Sequence, residues 1–439
     1  MTDRGDGAPE PWGPTLEAGR GARLLRRLVV LLGVGGLLTA AAAGTTAQLL
    51  VQQAETNLTR VPVPELDDGG DEAVRTDART FLLVGSDARD GLDPEDRSEL
   101  TLGDFDGQRS DVVMYLSISA DRDQVSLVSF PRDLLVDDGG VTRKLTDTFA
   151  GGPDQLIRVL RDNFQLPVNH YAEITLGGFV DVVRTVGDVE ICLDEPLRDR
   201  KAGADFDAGC QDMDAVDALA YVRSRQGDRG DLDRIDRQQD FLRAVLRELT
   251  AARTLVNARQ VYRLTEDVAS AMTIDDRLGT RELLGLADEL RGIVGEGMPM
   301  TAVPAYPRRI DGLDFMIAYG PGAEALFRDL RAGRPLADRG TPDERDETVV
   351  TIVTGGLPGS AGIVESTTRW SGFTTRVGGV AGVSEGRGGT TTVLIVPGEE
   401  ERAGWVAATL GAPSEPLPDG VTVPDGVHVV VVAGDDAQG

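Results

Sequence analysis

Between Arg27 and Glu55 the chain carries no charged residue: LVVLLGVGGLLTAAAAGTTAQLLVQQA, residues 28–54. A helix that crosses a bilayer core needs about 20 mostly apolar residues, and residues 28–51 supply them. Charge flanks the run unequally. Arg20, Arg23, Arg26 and Arg27 precede it, and the next basic residue after it is Arg60. That asymmetry predicts a cytoplasmic tail (1–27), one N-terminal transmembrane helix (28–51) and a body outside the cell. The small residues Ala41–Ala43 offer the alternative of a cleaved signal peptide. The length of the run and the acids in the preceding tail favour an uncleaved anchor.

The rest of the chain must then work outside the membrane, and its composition narrows the chemistry. The 439 residues carry 45 Lys and Arg against 73 Asp and Glu, a net charge of −28. No basic footprint for nucleic acid exists in such a chain. Histidine occurs only at His170 and His428, which leaves histidine-based triads and zinc sites poorly supplied. Carboxylate and guanidinium remain, the groups of hard-metal and phosphate chemistry. An exported compartment permits the two cysteines, Cys192 and Cys210, to pair. A bridge over 18 positions adds about 3 kcal/mol by the chain-entropy model.

After an acidic connector (52–78), TFLLVGSD, SDVVMYLSIS and QVSLVSFPRD read as three strands. Residues 120–123 are too few for anything but a hairpin turn between the second and third. PDQLIRVLRDNF has helical apolar spacing, and HYAEIT, GGFVDVVRTVG and DVEICL read strand, helix, strand. From residue 214 helical patterns dominate. The mixture predicts an α/β body over 79–335, a mixed sheet covered by helices. A charged, Pro- and Gly-containing break at 336–346 reads as a linker. VVTIVT, TTTVLIVP and VHVVVVAG then predict a small C-terminal α/β domain over 347–435.

The residues suited to chemistry sit at strand ends. Asp87 and Arg89 follow the first strand, Arg109 and Asp111 open the second, and Arg132 and Asp133 follow the third. If the middle strand is antiparallel to both neighbours, all three ends fall on one sheet edge, where open α/β sheets place ligands. Two carboxylates suit Mg²⁺ when phosphate oxygens and water complete its shell, and guanidiniums grip phosphate bidentately. A second cluster is YVRSRQGDRGDLDRIDRQQ, residues 221–239. Arg223 and Arg225 follow what reads as a helix end. Asp231, Arg234 and Gln238, spaced i, i+3, i+7, share one face of the next helix. Phe241, Leu242, Val245 and Leu246 continue it as a buried stripe. Asp228, Arg229, Asp233, Asp236 and Arg237 read as surface charge.

In the order LLVGSDAR, QRSD, SFPRD, ALAYVRSR and GDLDRIDRQQ behind a single apolar segment, the chain resembles the LytR–CpsA–Psr family of membrane-anchored cell-wall transferases. KLTDTFAGG and NHYAEITLGGFVDVVRTVGDVEI add to the likeness, which covers residues 80 to about 330. Residues 347–435 resemble the accessory C-terminal domain of some members. The resemblance implies transfer of a glycopolymer from a polyprenyl-pyrophosphate carrier to a peptidoglycan hydroxyl, leaving a phosphodiester. It assigns Mg²⁺ (or Mn²⁺) to Asp87 and Asp111. It assigns the pyrophosphate to Arg132, Arg223, Arg225, Arg234 and Gln238, with Arg89 and Arg109 in support and Asp231 orienting or acting as base. A pyrophosphate hydrolase and a non-catalytic binder of lipid or wall polymer are the competing classes. The lysine-poor, Ala/Gly/Asp/Arg-rich composition leans toward arabinogalactan over teichoic acid. The stretch 89–108 departs from the pattern in being longer and more acidic than the family shows.

Overall fold

A computed structural model describes residues 58–67, 78–86, 110–227, 229–250, 270–279, 298–383 and 389–438. The charge-free run 28–54, Asp87, Arg89, the acidic stretch 90–108, Arg109 and Asp228 lie outside the described residues. The same holds for the side chain of Asp111 and for the helical patterns at 251–269 and 281–294. Among the described residues no helix is long and apolar enough to cross a membrane.

The main sheet has seven strands in the order β1-β12-β7-β2-β3-β4-β13. They are β1 (Thr59–Val61), β2 (Arg79–Ser86), β3 (Ser110–Ile118), β4 (Val125–Phe130), β7 (His170–Thr175), β12 (Met272–Asp275) and β13 (Met300–Ala302). β3 is antiparallel to both β2 and β4, the arrangement that the short 120–123 turn demands on one side. Successive side chains of a strand point to opposite faces, and here both faces are covered. Leu82, Val84, Val113 and Tyr115 join one core cluster. Phe81, Met114, Leu116 and Ile118 join another. Short elements follow β4: a hairpin of β5 (Leu135–Asp137) and β6 (Thr142–Lys144), then α1 (Leu145–Thr148). The first face packs on α2 (Gly152–Phe164) through Leu156, Ile157 and Leu160.

After β7, α3 (Leu176–Val186) leads into a small antiparallel region. β8 (Val189–Leu193) pairs with β11 (Gly209–Met213), and β9 (Leu197–Asp199) with β10 (Ala204–Phe206). Cys192 and Cys210 stand directly opposite on β8 and β11 and are joined by a disulfide. Then come α4 (Ala215–Arg223) and α5 (Asp231–Thr250). α5 is wedged between two cores. Phe241 and Val245 belong to the cluster of α3, α4 and β8, while Leu242 and Leu246 pack on the second face of the main sheet. That divides the apolar stripe of α5 between two partners.

A hairpin of β14 (Ala305–Ile310) and β15 (Leu313–Ala318) precedes α6 (Gly320–Arg331) and α7 (Pro342–Glu347). The second sheet has the order β17-β16-β20-β18-β19. Its strands are β16 (Val349–Thr354), β17 (Thr374–Val377), β18 (Thr392–Ile395), β19 (Ser414–Pro416) and β20 (Val429–Ala433), with helices α8 (Ser360–Trp370) and α9 (Glu400–Leu410) between them. The segment 336–346 is packed structure. Leu336, Arg339 and Arg345 are buried. Asp338 accepts a hydrogen bond from Trp405 Nε1 at 2.9 Å, and Arg339 Nη2 donates to the Ala408 carbonyl at 3.2 Å. The two cores also exchange residues: Tyr319 is buried in the C-terminal cluster and Trp370 in that of the main sheet.

Neither histidine carries chemistry here. His170 Nδ1 lies 3.3 Å from Asp275 Oδ2, which pins β12 to β7, and His428 Nδ1 accepts the Val349 N–H at 2.9 Å. Replacing Cys192 and Cys210 together with serine is expected to lower the unfolding free energy by roughly 3 kcal/mol. Denaturant titration reads this, and an unchanged midpoint would contradict it.

Candidate functional site

α4 starts at Asp214, whose side chain caps it by accepting the N–H groups of Val216 (2.8 Å) and Asp217 (3.0 Å). It ends at Arg223, because Ser224 turns to extended backbone (φ −62, ψ 138). On a continuing helix two residues two apart diverge by about 200°. The break at Ser224 removes that constraint, and Arg223 and Arg225 line the same cavity. Asp199 of β9 holds the break in place. Its Oδ2 accepts Ser224 Oγ–H at 3.1 Å and the Arg225 N–H at 3.0 Å. Its Oδ1 accepts the N–H groups of Lys201 (3.0 Å) and Ala202 (3.3 Å). Burial works against its charge, but these hydrogen bonds outweigh it and hold the carboxyl below the ordinary range. From the other side, Arg237 Nη1 donates to the Ser224 carbonyl at 3.0 Å and its Nη2 to the Gln226 carbonyl.

The first turns of α5 complete the cluster. Arg234 Nη2 lies 2.6 Å from Asp231 Oδ1, and Arg225 Nε 3.8 Å from the same oxygen. One carboxylate thus ties together two arginines from two elements. Gln238 Nε2 donates to the Val222 carbonyl at 3.3 Å. The neighbouring Gln239 turns the other way, donating to Ser129 Oγ at 2.9 Å and the Thr301 carbonyl at 3.2 Å, and so fixes the helix to β4 and β13.

Arg223, Arg225, Arg234 and Gln238 border a cavity of about 950 Å³ between α3, α4, α5 and the main sheet. Leu83, Met114, Ile174, Phe179, Val183 and Leu242 are among its apolar walls. Arg198, Arg200 and Lys201 add three further basic residues; among the described residues its carboxylates are Glu173 and the hydrogen-bonded Asp199. In a chain of net charge −28, cations outnumber acids among the described residues of this cavity. The size and lining are those of a ligand site, and the excess of cations suits an anion.

The strand ends meet the cavity at Gly85, Ser86 and Val112. Gly85 pairs with Val112 and Ser86 with Ser110, so Asp111 is an extra residue in β3 with no partner on β2. Such a bulge frees a residue from the ladder and often sits beside active sites. Glycine is needed opposite: a Cβ on Gly85 would lie 3.0 Å from Val112 Cβ. Ser86, which precedes Asp87, is buried, and its hydroxyl has no hydrogen-bond partner among the described residues. Arg132 does not line the cavity. Its Nε lies 3.3 Å from Asp133, itself 3.2 Å from Lys144 Nζ, and its carbonyl accepts from the Thr146 backbone N–H at 3.2 Å and Thr146 Oγ1 at 3.0 Å. Among the described residues no group of three or more His, Cys, Asp or Glu is arranged to hold a metal.

Of the residues read from sequence as surface charge, Asp233 and Asp236 are buried and Arg229 and Arg237 half-buried. Both acids are paired to Arg229, and Arg237 braces the Ser224 turn. Asp199, Gln239 and Arg237 were not legible as site supports. Their partners come from other elements, and no local spacing announces them.

The sequence profile of the LytR_cpsA_psr family matches residues 43–332. The chain belongs to the LytR–CpsA–Psr family. It is 36% identical over 264 residues to the probable cell wall biosynthesis protein LcpB of Corynebacterium glutamicum, covering 59% of this chain and 63% of LcpB. It is 29% identical over 194 residues to the polyisoprenyl-teichoic acid–peptidoglycan teichoic acid transferase TagU of Oceanobacillus iheyensis, covering 42% of this chain and 56% of TagU. The chain thus spans less than two thirds of these curated relatives. In fold it is similar to a LytR-Csp2A-Psr enzyme from Actinomyces oris, with a TM-score of 0.51 and 22% identity over 64% of this chain and 97% of that one. Relatives in the family are thus named as cell-wall biosynthesis proteins and as teichoic acid transferases.

Asp199 has its carboxyl below the ordinary range when folded, so its contribution to stability is present above the unfolded value, about pH 4, and is lost as pH falls through the lower folded value. Asp199→Asn is therefore expected to flatten the acid limb of unfolding free energy below about pH 4, measured by denaturant titration across pH. An identical limb would contradict this.

Proposed function

We propose that the cavity holds the pyrophosphate and part of the chain of a polyprenyl-pyrophosphate carrier, and that the protein transfers the attached glycopolymer to a peptidoglycan hydroxyl. The observation that carries the reading is the union of apolar walls and a cationic cluster in one cavity. An apolar wall alone fits any lipid, and arginines alone fit any phosphate. Only an amphiphile with a charged head uses both. The names of the relatives point the same way, since the TagU protein is described by a polyisoprenyl-linked donor and a peptidoglycan acceptor.

In the proposed reaction an acceptor oxygen attacks the phosphorus that bears the glycopolymer. The bond from that phosphorus to the bridging oxygen breaks, polyprenyl phosphate leaves with the electron pair, and the proton of the acceptor hydroxyl passes to solvent. Phosphoryl transfer demands positioning and charge neutralisation more than a covalent nucleophile. Arg223, Arg225 and Arg234 supply fixed positive charge for the pyrophosphate, and Gln238 a side-chain amide beside them. Asp231, with Oδ1 between Arg225 and Arg234, draws those two guanidiniums together and orients them. Arg132 follows β4 at the sheet edge and does not line the cavity, so its role is to support the reacting end; the family resemblance gives Arg89 and Arg109 the same supporting role.

Asp87 and Asp111 are the residues that would hold a divalent ion, Mg²⁺ or Mn²⁺. Two carboxylates suit a hard cation whose other ligands are phosphate oxygens and water, and the bulge sets Asp111 off from the ladder at the sheet end bordering the cavity. Bound there, the ion would neutralise charge developing on the pyrophosphate. The charge-free run 28–54 would anchor the protein in the cell membrane with this domain outside, beside its lipid-borne donor.

The test is to incubate the protein with a polyprenyl-pyrophosphate-linked glycan and Mg²⁺, with and without peptidoglycan. A phosphate-linked product that requires peptidoglycan is expected. Arg234→Ala and Asp111→Ala should each slow its formation at least about 100-fold. Phosphate release without a linked product would make the protein a hydrolase, and no turnover by the wild type would leave only a binding role.

A further inference from the structure

The C-terminal domain, with the α7 segment that leads into it and whose Arg345 packs on its Gly372, reaches into the helix that carries the cluster. Arg345 of α7 is 4% exposed, and its Nη2 lies 3.6 Å from Asp236 Oδ1. Asp236 Oδ2 lies 3.2 Å from Nη2 of Arg229. Arg229 in turn gives its Nε–H to Asp233 Oδ1 and its backbone N–H to Asp233 Oδ2, each at 2.9 Å. Gly372, just past α8, has φ +100, and a Cβ there would lie 2.9 Å from Arg229 Nη1 and 3.0 Å from Arg345 Nε. The two guanidiniums are therefore seated against the backbone of the second domain.

Asp233 and Asp236 flank Arg234 in sequence, on the first two turns of α5. From those same turns Asp231 holds Arg234 and Arg225, and Arg237 holds the Ser224 turn. A buried carboxylate stripped of a partner is an uncompensated charge, and its surroundings rearrange or it takes up a proton. Burial already raises the Asp236 carboxyl, and Arg345 is the leading charge that opposes the rise. Movement of Arg229 would also disturb the loop whose Gln226 carbonyl accepts from Arg237.

We propose that the C-terminal domain is a working part of the site, with Arg345 a positioning residue. Through Asp236 and Arg229 it fixes the start of α5, and with it the placing of Arg225 and Arg234 at the cavity. The proposal rests on the reading of that cavity as a pyrophosphate site. A domain that merely tethers, or a junction that merely stabilises, would leave affinity in the cavity untouched.

The test measures binding of inorganic pyrophosphate, with Mg²⁺, to the full chain by calorimetry. The proteins are the wild type, Arg345→Met, Arg225→Ala and the double variant. Arg345→Met is expected to weaken binding about tenfold, although Arg345 does not line the cavity. Distant, independent substitutions have multiplicative effects; here the double variant should be within about threefold of Arg225→Ala alone. Val393→Ala removes fully buried side-chain volume from the core of the same domain. It should lower the melting temperature and keep wild-type affinity. A folded Arg345→Met that binds within about twofold of wild type, or effects that multiply, overturns the proposal. If Arg345→Met does not fold, Gly372→Ala, which pushes on Arg229, carries the same expectation. A wild type that binds no pyrophosphate overturns the cavity reading and this proposal with it, whereas the preceding outcomes overturn this proposal alone.

Discussion

Helix α5 begins with charges that cannot all reach water, and the fold is arranged to answer each of them. Asp231 takes Arg234 and Arg225, Asp233 takes Arg229, and Asp236 takes Arg229 and Arg345. Arg237 is satisfied by carbonyls of the turn after α4. Removing a single partner from such a set leaves a buried charge without compensation, which costs far more than a surface pair is worth. The helix start is consequently held in one place by the sheet, by the preceding turn and by the C-terminal domain at once.

That fixity is what an anion site needs. Guanidiniums on flexible loops lose much of their binding energy to ordering, whereas preorganised ones offer their charge without that cost. Asp199 and Asp231 do this from opposite sides, one by fixing the backbone of Arg225 and the other by fixing its side chain. The apolar walls then come from the rest of α5 and from the sheet face it covers, so one helix supplies both the charged and the greasy part of the cavity.

The sequence made much of this legible. The hairpin between the second and third strands implied that strand ends would gather on one edge, and the register of β2, β3 and β4 agrees. The i, i+3, i+7 spacing of Asp231, Arg234 and Gln238 grouped them on one helix face, from which Arg234 and Gln238 line the cavity. What it hid were partners far away in the chain. Asp199 is remote from Ser224, and nothing in its neighbourhood distinguishes it from other loop acids. Asp236 looks like solvent-facing charge because Arg345 lies more than a hundred positions on. The same holds for 336–346, whose Pro, Gly and charges match the composition of a tether. In the fold, the Ala408 carbonyl and Asp236, both from elsewhere in the chain, answer its buried arginines. Arg132 was grouped with the other arginines by strand direction, which fixes the sheet edge but not which cavity a side chain borders.

The central claim is that a single cavity takes both an apolar chain and a pyrophosphate. Its most direct test is the affinity of the protein for isoprenyl pyrophosphates of increasing chain length, set against inorganic pyrophosphate and the corresponding isoprenols. Each buried CH₂ contributes up to about 0.8 kcal/mol, so affinity should climb with the first several isoprene units and fall sharply when the pyrophosphate is removed. Long-chain pyrophosphates that bind no better than inorganic pyrophosphate, or isoprenols that bind as well as their pyrophosphates, would contradict it.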